Sequence, residues 1–219
     1  DSTLLRLLLN SLIIAVLSTL IATAVGTMAA VGLHGMKGKL RSAVMTLTNI
    51  PMTNPDIVTG VALALLFAFV GGALRRNDIL SFWTLLIAHI TFNLPYVILN
   101  VMPKLQQMDK DLVEAAMDLG CTPMQAFTKV VIHEIMPGIV AGDIMAFTMS
   151  VDDFVVSYFT AGTTSQPLSV VIYSMTRHRM TPKINAISTI LFLIVLALLI
   201  VINMRQSRDE KRREAARRK

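Results

Sequence analysis

Residues 7–33 read LLLNSLIIAVLSTLIATAVGTMAAVGL, an apolar run without one charged side chain. About 20 apolar residues suffice to cross a bilayer core of about 30 Å as a helix. This stretch exceeds that length, and four more apolar segments follow at about 43–70, 82–102, 135–161 and 184–204. The pattern predicts an all-α polytopic membrane protein with five spans, forming one membrane domain over residues 1–219.

Composition agrees. Hydrophobic residues make up 54% of the chain and charged residues 16%, against roughly a quarter charged in a soluble domain. A soluble enzyme is excluded on these grounds. The single cysteine, Cys121, excludes an intrachain disulfide and a cysteine-built metal site. The net charge of +6 is concentrated in a basic tail over 205–219. After a span, such a tail favours anionic lipid at the cytoplasmic face rather than nucleic acid.

Lys and Arg also set the orientation. If the spans alternate, Lys37, Lys39, Arg41, Lys104, Lys110, Lys129 and the tail lie on one side, and Arg6, Arg75, Arg76, Arg177, Arg179 and Lys183 on the other. The richer side belongs in the cytoplasm. The chain then enters from outside, ends inside, and exposes the 162–183 loop externally. An odd span count with an external start leads us to expect a further span before Asp1.

The link 103–134 is too long for a tight connection and carries two helix signals. Asp109 can cap a short helix whose apolar positions are Leu112, Ala115, Ala116 and Leu119, one face at helical spacing. Gly120 follows as a C′ residue, where positive φ is cheap. Thr122, Pro123 and Gln125 then fit the N-cap, N1 and N3 positions of a second helix. The link reads as helix, turn, helix, protruding into the cytoplasm, with small alanines on its exposed face.

Glu114-Ala115-Ala116-x3-Gly120 resembles the EAA motif of the binding-protein-dependent ABC importer permeases of type I fold. His89-Ile90-Thr91-Phe92, Leu94-Pro95, Leu112, Asp118-Leu119 and Asp152-Asp153 are similar to the spermidine/putrescine permeases of PotC type within that family. The resemblance covers nearly the whole chain. It implies that Glu114, Ala115, Ala116 and Gly120 couple to an ATP-binding subunit. It further implies a dimer of that subunit, a second permease chain of different sequence, an external substrate-binding protein and a place in the bacterial inner membrane. One departure stands out: the family has proline where this chain has His133, so nothing stops the second helix from running on towards Met136.

Polar residues at membrane depth are the candidates for the substrate pathway. Asp152 and Asp153 lie about 20 Å into the fourth segment, where a carboxylate costs about 3 kcal/mol unless it meets a partner, water or a cation. Neighbours on a helix point about 100° apart, so at most one faces a pathway squarely; capping a neighbouring helix is the alternative. Asp56 follows Pro51, Asn54 and Pro55, which should break the second segment as cavity-lining transporter helices are broken. His89 and Asn93 decorate the third segment, where helix-to-helix hydrogen bonding competes with a pathway role. Asp143 is expected to snorkel to the interface.

No Gly-x4-Gly-Lys-Ser/Thr occurs, so ATP and Mg²⁺ are expected on a partner. No catalytic residue, metal ligand set or cofactor is expected in this chain. Polyamine is the substrate class implied by the resemblance; iron, sulfate, phosphonate or thiamine remain alternatives. An ion-coupled secondary transporter would show internal repeats, and a channel a filter motif; neither is visible.

Overall fold

The computed structural model describes residues 2–73, 80–109, 111–162, 167–176, 189–190, 192–197, 199–200 and 204. The described residues are helical throughout, with no strand. In chain order the helices are α1 (Ser2–Gly35), α2 (Gly38–Thr53), α3 (Asp56–Ala73), α4 (Phe82–Gln107), α5 (Asp111–Asp118), α6 (Pro123–Ala126), a π-helical turn (Phe127–Val131), α7 (Ile132–Asp152), α8 (Val155–Thr160) and α9 (Leu168–Thr176). The chain divides into two compact units, residues 1–170 and 171–219. Of the second, the rest of α9 and short helical pieces between 189 and 204 are described.

Among the described residues four stretches are long and apolar enough to cross a membrane: Arg6–Gly35, Asp56–Ala73, Phe82–Gln107 and Pro123–Asp152. Two expected boundaries are corrected. The segment at 43–70 is not one span. Asn54 turns extended (ψ 144°) ahead of Pro55, because a residue before proline is pushed out of the α region. The short α2, with no buried residue, is thereby separated from the membrane-length α3. The segment at 135–161 also breaks. Asp153 turns extended (ψ 121°) and ends α7, and α8 starts two residues later. At its other end this helix starts much earlier than expected, since α6, the π turn and α7 follow one another without interruption from Pro123. That agrees with His133 failing to act as a breaker. About half of the fifth expected span and the whole tail over 205–219 fall outside the described residues.

The core of the first unit is a three-helix packing of α1, α4 and α7. A Cβ on Gly26 of α1 would lie 2.8 Å from Val97 Cγ1 of α4. On α7, a Cβ at Gly138 would lie 2.7 Å from Asn100 O, and one at Gly142 3.1 Å from Val97 Cα. These glycines let backbones approach closely, the usual device where lipid offers no hydrophobic drive for helix association. The contacts fix the register: α1 runs parallel to α4, and α7 runs antiparallel to both. Val97, Val101, Leu105 and Ile135 are buried in the resulting core. α3 packs on α8, with Gly60 against Phe159 and Val155–Val156. The outward residues of α3, among them Leu65, Leu66 and Phe69, are exposed, as a lipid- or subunit-facing helix requires.

Candidate functional site

The first candidate is the helix-turn-helix after α4. Asp109 Oδ1 accepts the Asp111 amide at 3.1 Å, starting α5. Gly120 holds φ at +87°. Cys121 N donates to Ala116 O at 3.1 Å and Gly120 N to Met117 O at 2.9 Å. This pair of bonds is a Schellman ending, which satisfies the last carbonyls of the helix. A full capping box then opens α6: Gln125 N donates to Thr122 Oγ1, and Thr122 N to Gln125 Oε1.

The faces of α5 differ from the expected ones. Ala116 is buried, not exposed, and it turns inward while Val113 packs on the core beside Leu105 and Val131. Leu112, Ala115 and Leu119 point outward, Leu119 with 87% exposure, and Met124 of α6 adds a 70% exposed side chain. Glu114 is also exposed. Of the apolar stripe read in the sequence, Ala116 alone is buried and the rest is surface. The rigidly capped turn thus presents an exposed apolar patch, the kind of surface that marks interaction sites in general.

The second candidate lies at the break between α7 and α8. His89 of α4 sets Nδ1 2.7 Å from Ser150 Oγ of α7 and Nε2 2.9 Å from Ser157 Oγ of α8. Ser150 Oγ reaches Ser18 Oγ of α1 at 3.1 Å. Asp153 accepts the amides of Val156 at 3.1 Å and Ser157 at 2.8 Å, and its Oδ2 is 3.6 Å from His89 Nε2. Thus the Asp153 side chain, 4% exposed, caps α8, while Asp152 is exposed at the end of α7. A small cavity with room for about one water molecule is lined here by Ser11, His89, Ser150, Asp153, Ser157 and Ser169.

The remaining residues expected at the pathway are scattered. Asp56 is exposed in the first turn of α3. Asn93 is fully buried, one turn from His89 on α4, and neither amide atom has a hydrogen-bond partner among the described residues. Asp143 does not snorkel: its Oδ1 accepts Thr23 Oγ1 of α1 at 2.9 Å. Sequence reading missed Ser18, Ser150 and Ser157 altogether. Their signal is faint, being small polar residues inside apolar helices, where they bond helix to helix. Among the described residues no cluster of His, Cys, Asp or Glu gathers to hold a metal.

Residues 22–213 match the family described as binding-protein-dependent transport system inner membrane component. The chain is 36% identical over 201 residues to the spermidine/putrescine transport system permease protein PotC of Haemophilus influenzae, covering 92% of this chain and 76% of that one. It is 37% identical over 202 residues to PotC of Escherichia coli K12, with 92% and 74% covered. Among solved structures, an inward-facing MetNI methionine ABC transporter chain matches with a TM-score of 0.74 at 19% identity, covering 93% of this chain and 94% of that one. A bacterial ABC transporter for import of the acidic polysaccharide alginate matches at 0.76 and 15% identity, with 93% and 79% covered.

Proposed function

Because the chain belongs to the family of binding-protein-dependent transport system inner membrane components, we propose that it is the permease half of an ATP-driven polyamine importer. The membrane part of such a system is a conduit rather than an enzyme. One observation carries the substrate class: sequence relationship to spermidine/putrescine permeases across most of the chain. The shared fold is neutral on cargo, since its solved examples serve methionine and alginate transporters.

In this reading α5 is the coupling helix. The Schellman ending and capping box hold Leu119 and Met124 outward for the groove of an ATP-binding subunit, with Glu114, Ala115 and Gly120 in or beside the contact. Ala116 acts from the inner side, by letting α5 lie close on the core. A dimer of ATP-binding subunits holds ATP and Mg²⁺. A second, different permease chain completes the pathway, and an external binding protein delivers substrate. The loop and the C-terminus face the cytoplasm. Asp152 is the acid placed to meet a polycation, because Asp153 is engaged by α8 and His89. Asp56 is a further exposed acid, at the head of a broken helix.

The test is assembly and stimulation. The purified chain, with its partner permease, should co-purify with an ATP-binding subunit whose hydrolysis rises severalfold on adding polyamine-loaded binding protein. Hydrolysis indifferent to polyamine, but raised by another solute, would move the chain to a different substrate class.

A further inference from the structure

Along α1, Thr19, Thr23 and Thr27 repeat every four residues and so share one face. Only the middle rung is engaged, by Asp143 of α7 at 2.9 Å. Thr19 and Thr27 are 3% and 6% exposed, and their hydroxyls have no partner among the described residues. On α4, Asn93 stands one turn beyond His89, fully buried and equally unpartnered. These groups are closed off from the surface as the helices now stand. Buried polar groups left unpaired raise the free energy of the arrangement that leaves them so.

One displacement pairs two of the three, at the expense of Thr23, His89 Nδ1 and Ser18, which give up their present partners. The antiparallel register sets Ser150 at His89, Asp143 at Thr23, and Gly142 and Gly138 against Val97 and Val101. A shift of α7 by four residues, about 6 Å, towards the Gln107 end of α4 brings Asp143 to Thr27 and Ser150 to Asn93. Gly142 then takes the place of Gly138, so the close helix approach survives at Val101, while Ala146, fully buried now, follows at Val97, where a Cβ meets Val97 Cα at 3.1 Å and the two helices must part slightly. The opposite shift brings Asp143 to Thr19 but Ser150 to the apolar Leu85, and leaves Asn93 unpaired. The ladder is therefore directional. Resting on the transport reading above, we propose that α7 steps one turn along the groove between α1 and α4, exchanging Thr23 for Thr27 and His89 for Asn93. Such one-turn steps belong to the known repertoire of packed helices. The break at Asp153–Phe154 and the π turn flank the moving segment. Since α7 continues into α6, the step moves the docking turn with it.

Thr27→Val removes the receiving hydroxyl at constant shape; Thr19→Val makes the same change on the unused rung. In the reconstituted complex, Thr27→Val should keep its thermal midpoint and lose polyamine uptake at least tenfold, and Thr19→Val should leave both unchanged. Equal effects of the two, unchanged uptake in Thr27→Val, or a lowered midpoint there would overturn the ladder. A cross-link reads the register without reference to substrate. In a Cys121→Ser background, Ser18→Cys/Ser150→Cys should oxidise without nucleotide and Ala22→Cys/Ser150→Cys after trapping with ATP and vanadate. If the second pair never cross-links faster under trapping, the step does not occur, whatever the complex transports. If it does while polyamine is not carried, the step stands and the substrate assignment falls.

Discussion

His89 Nε2 and Ser157 Oγ lie 2.9 Å apart, and with Nδ1 on Ser150 the one imidazole bridges the two helices on either side of the Asp153–Phe154 break. His89→Ala removes both bonds, leaving the buried Ser157 hydroxyl without this partner and the Ser150 hydroxyl with Ser18 alone. At about 1 kcal/mol for each such loss, the variant should be destabilised by about 2 kcal/mol. Thermal unfolding of the purified complex checks this. A midpoint equal to wild type, with transport lost, would instead make His89 a pathway residue.

The two adjacent acids should separate by kind of defect. Asp153→Asn leaves one accepting oxygen where two separate carboxylate oxygens now take the Val156 and Ser157 amides, so it loses part of a helix cap worth about 1 kcal/mol. Asp152→Asn touches no such bond and should keep its stability while spermidine uptake falls severalfold. Thermal melts and uptake assays on the two variants decide it. The reverse assignment, with Asp152→Asn unstable and Asp153→Asn merely slow, would contradict the structure.

Gly120 has open space around it, so the cost of a side chain there comes from the backbone alone. A left-handed φ of +87° costs an ordinary residue about 1–2 kcal/mol and a β-branched one more. Gly120→Val should uncouple α5 from α6 and lower co-purification with the ATP-binding subunit. Gly120→Asn, which tolerates this region, should recover most of it. Equal loss in both variants would point to steric exclusion at the docking surface rather than to turn geometry.

Much of this was legible beforehand, for reasons that differ by residue. The turn at Gly120–Gln125 is local chemistry, in which glycine, threonine, proline and glutamine each meet a backbone need within six residues. The break at Pro55 is equally local. Faces were harder. Leu112, Ala115 and Leu119 share a stripe with Ala116, and periodicity cannot tell a stripe facing the core from one facing a partner protein. The Asp153 cap on α8 stood only as the alternative, because a carboxylate inside an apolar run looks the same whether it meets amides or a cation. Asp143 seemed a surface residue because its partner, Thr23, comes from a distant part of the chain.

The proposed orientation rests on the Lys and Arg distribution and is checked at Leu119, the most exposed large hydrophobic residue of the turn. In a Cys121→Ser background, Leu119→Cys should resist a membrane-impermeant maleimide in intact cells and react in inverted vesicles. Labelling from outside would invert the topology and remove the basis for coupling.

The most direct test of the whole account is transport itself. The chain is reconstituted with its partner permease, its ATP-binding subunits and its binding protein, and labelled putrescine or spermidine accumulation in the vesicles is followed. The account predicts uptake that requires both ATP and the binding protein, and that drops severalfold with Asp152→Asn. Accumulation independent of ATP, or ATP-driven uptake of a neutral or anionic solute with polyamine excluded, would contradict it.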